Sequence, residues 1–198
     1  MGYRYIENVD DLILDQIVEE GAQSGVMGIS SKRVARACGI SSGTIFNRFG
    51  TMQSAIDAAA ERFDRRQIKL AHETLDADCT IEQAWGVVLQ NFISDTDELL
   101  FYSSYIYAIG APAQVRRQNI RECQPILKQL FGYDGSIDEN KALAVWDVAV
   151  MAAVYFAQRI VRGQMKDTPE CRQMVQRMIA EDIRIVLNTP DEVFGEGE

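Results

Sequence analysis

Histidine is nearly absent from this chain: His72 is the only one in 198 residues. A single imidazole excludes a di-iron helical bundle, which needs Glu-x-x-His pairs, and it argues against His-based zinc sites and histidine-containing triads. Cysteine is scarce too. Cys38, Cys79, Cys123 and Cys171 are far apart and form no Cys-x-x-Cys pair, which argues against a thiolate metal knuckle or a redox dithiol. No glycine-rich phosphate loop occurs. No apolar run is long and unbroken. Ala142–Ala157 comes nearest, and it is interrupted by Asp147 and bounded by Lys141 and Arg159, so no membrane span is expected. Met1-Gly2-Tyr3-Arg4 does not open a signal peptide, and the expected location is the cytoplasm. No catalytic residue, metal or cofactor is implied, and an enzyme is not expected. The last absence is local: no Asp or Glu occurs from Ser30 to Ala55, in a chain whose net charge is −9.

That acid-free stretch reads as two short helices joined by a tight turn. Ser30 or Ser31 caps the first, which runs to about Cys38, with Val34, Ala35 and Cys38 forming one buried stripe. Ala35 is small and lets two helices approach. Gly39 follows where a left-handed backbone is needed, and Ile40 plugs the turn into the core. Ser41 caps a second helix over about 42–48, with Ile45 and Phe49 inward. Ser42, Gly43, Thr44, Asn47 and Arg48 are left outside. Short polar groups at a helix start reach phosphates and base edges, which is how a recognition helix docks in the major groove of double-stranded DNA.

Residues 9–63 resemble the N-terminal domain of the tetracycline-repressor (TetR) family. The resemblance is carried by Gly25, Ser30, Val34-Ala35, Gly39-Ile40-Ser41, Gly43-Thr44-Ile45-Phe46 and Phe49. It implies an all-α fold: a three-helix helix-turn-helix domain over 1–51, a larger helical ligand-binding and dimerisation domain over 52–190, and an acidic tail over 191–198. It implies that Ser30 and Ser31 touch phosphate, that Lys32 contacts a base or phosphate, and that Ser42, Thr44 and Asn47 face the groove. Phe46 would pack on the sugar-phosphate backbone, and Arg48 would stand at a reader position. Thr51 would cap the next helix and offer backbone amides to a phosphate. With Arg33, Ser41 and Gly43 these make up the expected DNA-contacting set. One position departs from the pattern: Met52 stands where the family usually has a phosphate-gripping Lys.

The remaining chain reads as helices. A first one covers about 9–24, opened by Asn8 and with Leu12, Ile13, Ile17 and Val18 apolar. Another follows Thr51 past Leu70. Thr80-Ile81-Glu82-Gln83 and Ser136-Ile137-Asp138-Glu139 are capping boxes, and Thr168-Pro169-Glu170 opens the last helix. Pro125 is expected to kink or break its helix. The last two helices carry broad apolar faces that need covering. In the resembling family they pair with a second subunit, so Val150, Val154, Met174, Met178, Ile179, Ile183 and Val186 are candidate homodimer contacts. The family also holds a small effector in the body. Trp85, Phe92, Tyr102, Tyr105, Gln118, Arg121, Trp146, Met151 and Tyr155 are the candidates for that site, with plain core packing as the competing reading of the aromatics.

Charge is distributed unevenly. Residues 30–66 hold seven Lys/Arg against three acids, and residues 67–198 hold twelve against twenty. A local basic surface on an acidic body is expected, enough for docking because fields decay within roughly 8–10 Å in physiological salt. The expected function is a transcriptional repressor that leaves a palindromic operator when an effector binds. The alternative is a helical effector-binding dimer that acts through protein contacts without sequence-specific DNA binding, a reading whose support is Met52.

Overall fold

The computed structural model describes residues 8–74, 79–131 and 139–194, and these are helical with no strand among them. The elements are α1 (Val9–Ser24), α2 (Ser31–Ala37), α3 (Ser42–Phe49), α4 (Met52–Thr74), α5 (Ile81–Ser94), α6 (Thr96–Ala108), α7 (Ala113–Phe131), α8 (Glu139–Val161) and α9 (Pro169–Asn188). Single 3-10 turns occupy Val26–Gly28 and Asp191–Phe194. Local capping explains most helix starts. The Thr80 box is formed on both sides, and the side chains of Ser41, Asp95 and Thr168 each accept from the backbone amide three residues on. The box expected at Ser136 lies outside the described residues. Asn8 precedes α1 in a left-handed conformation with no side-chain cap, and Ser30 also makes no cap bond.

The first three helices form a small trihelical unit around Ile13, Ile17, Val34 and Ile45, which are fully buried. Leu14, not Leu12, completes the inner face of α1. A second, larger layer follows. α8 packs against α5, α6, α7 and α9, which bury Val145, Ala149, Val150, Ala153, Val154, Ala157 and Ile160 and leave Tyr155 exposed. The two layers are joined twice. α4 runs without interruption from the trihelical unit into the body, and α1 lies along α6. At that second joint Gly21 matters: a Cβ there would meet Phe101 Cδ2 at 2.5 Å. Ser104 of α6 also accepts a 2.9 Å bond from the Val26 amide.

α7 continues through Pro125, so the helix is not broken there. Part of the acidic tail is structured: Asp191–Phe194 forms the last 3-10 turn, and Asp191 accepts a 2.9 Å ion-paired bond from Lys141, which is itself buried.

Candidate nucleic-acid interface

The turn between α2 and α3 is built as its residues require. Val34, Ala35 and Cys38 are buried, Gly39 has φ +68°, and the Ile40 amide bonds back to the Ala35 carbonyl at 2.9 Å. Ser41 accepts from the Thr44 amide at 3.2 Å, and its Oγ is 3.0 Å from the Thr44 hydroxyl. Ile45 is sealed beneath the helix. Gly43, Phe46, Asn47 and Arg48 are exposed, and Ser42 and Thr44 are half-buried. Ser42 donates to the Ser31 carbonyl at 3.4 Å, tying the two helices together. Thr51 accepts from the Ser54 amide at 2.9 Å, capping α4 as expected. Met52 packs against the hydrophobic core, so the position of the usual family cation serves packing in this chain.

The electrostatics differ from expectation. Residues 1–29 carry one arginine against six acids, so the whole span 1–66 has a net charge of −1. In the fold, α1 lays its acids onto the cations of its neighbours. Arg33 Nε donates to Glu20 at 2.8 Å, and its guanidinium also donates to the Gly28 carbonyl. Arg48 Nε lies 2.8 Å from Asp10 Oδ1. Arg62 reaches Asp15 at 2.7 Å and Asp11 at 3.9 Å. Arg65 pairs with Glu61, and Arg66 with Glu98. Lys32 and Arg36 are exposed and stand in no ion pair among the described residues. Arg33 therefore leaves the expected DNA-contacting set: two acceptors already hold it as a staple between α1, the Val26–Gly28 turn and α2. Arg36 is a further exposed cation on α2 outside that expected set. The signal for Arg33 lay in the acids of α1.

The body contains a buried polar relay on α4 that the sequence reading counted only as charge. Asp64 is buried, accepts from the Tyr102 hydroxyl on one oxygen and from Asn119 Nδ2 at 3.0 Å on the other. Burial pushes its carboxyl up to about 6, against the opposing pull of those two hydrogen bonds. Burial and the adjacent Asp64 carboxylate push the Tyr102 phenol well above its ordinary value. About two turns earlier, Asp57 accepts from the Tyr105 hydroxyl at 3.0 Å. Phe63 packs at a tilt against Tyr102 and Phe92, with ring centroids 4.3 and 5.5 Å away. An acid on the apolar stripe of Ile56, Ala60 and Phe63 was the available signal.

Of the expected effector residues, Phe92, Tyr102 and Tyr105 are buried, and Trp85, Trp146 and Met151 are half-buried. Gln118, Arg121 and Tyr155 are corrected: all three face outward. Gln118 bonds Glu122 and Arg121 pairs with Glu139, both on the surface, while Tyr155 is 44% exposed beneath Arg159.

The expected dimer set divides as well. Val154, Ile179 and Ile183 have no exposed surface and Val150 has little, so these four belong to the protomer core and cannot face a second copy. Val186 is half-buried against the same core. Met174 and Met178 are each 44% exposed and Ile185 57%. At 3.6 residues per turn those three share one stripe of α9, about a third of a turn from the inner stripe of Val175, Ile179 and Ile183.

The chain thus combines a trihelical helix-turn-helix unit with a larger helical body. No family model matches the sequence, and no curated protein matches it. Solved structures do. The chain superposes on a TetR family transcription regulator from Marinobacter aquaeolei VT8 with a TM-score of 0.68 at 13% identity, over 87% of this chain and 94% of that one. The multidrug binding protein EbrR, solved with imidazole, gives 0.60 at 18% identity over 92% and 93%. The fatty acid degradation regulator FadR from Bacillus halodurans gives 0.57 at 11% over 93% and 97%. The fold is that of TetR family regulators.

Proposed function

We propose that this chain is a TetR-like transcriptional regulator: a cytoplasmic homodimer, non-enzymatic, that represses from a palindromic operator and leaves it when a small molecule occupies the body. The observation that carries the reading is the α2–turn–α3 unit. Its inner residues are sealed, and Phe46, Asn47 and Arg48 stand exposed on one helix sized for the major groove. The outer stripe of Met174, Met178 and Ile185 supports a two-fold pairing through α9. The likeness to EbrR supports a ligand-responsive body.

The release mechanism follows from α4. Tyr105, Tyr102 and Asn119 hold Asp57 and Asp64, so α6 and α7 grip the same helix that leaves the helix-turn-helix at Met52. A ligand that displaces either helix moves α4, and with it the spacing of the two recognition helices. By linkage, DNA and effector then weaken each other's binding by the same factor.

The test is selection of binding sites from random duplex DNA by the purified full chain. Enrichment of an inverted repeat with half-sites about one helical turn apart supports the proposal. The effector-binding dimer without DNA recognition has one observation in its favour, the net charge of −1 over residues 1–66. Failure to enrich any sequence makes it the preferred reading.

A further inference from the structure

We infer that Asp10 is a positioning residue for base recognition: its carboxylate holds Arg48 by Nε and leaves the two Nη groups to pair with a guanine edge in the major groove. The inference rests on the DNA-binding reading proposed above. Arg48 closes the last turn of α3, beside the exposed Asn47, and its side chain is about half exposed. A guanidinium carries five N–H groups in a rigid fork. The Nε–H is occupied by Asp10 at 2.8 Å. The edge that remains presents two parallel donors, and in the major groove two adjacent acceptors, O6 and N7, occur on guanine alone.

Two other uses of the pair fit less well. If Arg48 gripped a phosphate, one guanidinium would separate that phosphate from the Asp10 carboxylate, and the trio would carry a net negative charge. With guanine the trio is neutral. If Asp10 served instead to withhold Arg48 from DNA, the pair would have to be strong. Both partners are about half exposed, and exposed ion pairs are weak and screened. Such a pair does not withhold the side chain from DNA, but it biases the rotamer of a long side chain whose ordering opposes base contact. The carboxylate is itself on a fixed support. Asp10 lies in the first turn of α1, where Asp11 and Asp15 tie that helix to Arg62 of α4.

The experiment compares the parent, Asp10→Asn, Asp10→Ser and Arg48→Ala on the selected duplex and on duplexes altered one base pair per half-site. The parent should prefer guanine at one position by roughly tenfold or more. Both Asp10 variants should lose most of that preference while binding unrelated DNA as well as the parent or better, since a negative charge has gone. Adding Asp10→Asn to Arg48→Ala should change discrimination no further. A folding defect in either Asp10 variant would instead lower affinity for every duplex alike, and the other variant carries the test. If the parent selects DNA and both Asp10 variants keep the guanine preference, the inference is wrong and the DNA-binding reading stands. A uniform gain on all duplexes with unchanged preference is that same result, and makes Asp10 a mere repellent. If the parent selects no sequence, both readings fall.

Discussion

DNA binding by this chain should respond to salt much less steeply than its count of Lys and Arg implies. Four cations lie in residues 30–51, namely Lys32, Arg33, Arg36 and Arg48. Arg33 is held by Glu20 and Gly28, and Arg48 is turned by Asp10 toward a base edge, which leaves Lys32 and Arg36 to neutralise phosphates. A dimer then presents four such groups, and log affinity should fall against log salt with a slope of about −3.6. Raising salt from about 50 to about 200 mM would weaken binding by roughly 150-fold. Were all four cations per protomer on phosphates, the slope would be about −7 and the loss roughly 20,000-fold. The assay is fluorescence anisotropy of a labelled operator duplex at several salt concentrations. Arg36→Ala should flatten the slope by about 2 units, one contact per protomer, and Arg33→Ala should leave it unchanged. A parent slope near the steeper value, or a flattening by Arg33→Ala, would refute the charge assignment.

Three further outcomes test the body. The Asp64 carboxyl titrates near 6 in the fold and at 3.8 in a model peptide, so the folded state holds the proton more tightly. Relative to Asp64→Asn, the parent should therefore lose stability as pH rises from about 4 to about 6, by about 3 kcal/mol, and stay lower above that. Urea unfolding of both chains across that range checks this, and a parallel pH dependence would contradict it. Gly21→Ala drives a Cβ to 2.5 Å from Phe101. Overpacking should outweigh the gain in helix propensity and lower stability by about 1–2 kcal/mol in denaturant melts, whereas an unchanged midpoint would show that α1 and α6 yield there. Ile179→Ala should cost about 2–5 kcal/mol of stability. Its neighbour Met178→Glu should leave protomer stability within about 0.5 kcal/mol and shift light-scattering mass toward the monomer. A dimer indifferent to Met178→Glu would place the interface elsewhere.

Much of the fold was legible because its signals are local. Gly39 after a short apolar stripe, Ser41 three residues before Thr44, and Thr80 three before Gln83 each specify a helix end from neighbours in sequence. The start expected after Thr51 agrees with α4 for the same reason, whereas α1 begins at Val9 without the cap expected of Asn8. What stayed hidden depends on distant pairs. Glu20 meets Arg33 across 13 positions and Tyr102 meets Asp64 across 38, and no local pattern announces either. Residues 30–66 look basic by themselves, and the acids that offset them lie on α1, which folds back over the helix-turn-helix. α9 shows a different limit. Both of its stripes are apolar, and only packing reveals that Val175, Ile179 and Ile183 go inside while the more adaptable Met174 and Met178 stay out. Met52 was legible as a departure and explicable only once its side chain was seen against the core.

The most direct test of the central claim is an equilibrium competition in one buffer between the selected inverted-repeat duplex and a scrambled duplex of the same length and composition. The stoichiometry of the complex should be read in the same sample. A sequence-specific regulator should favour the repeat by roughly 10³-fold or more, with two protomers on each duplex. Equal affinity for the two duplexes would contradict the account, whatever the strength of binding.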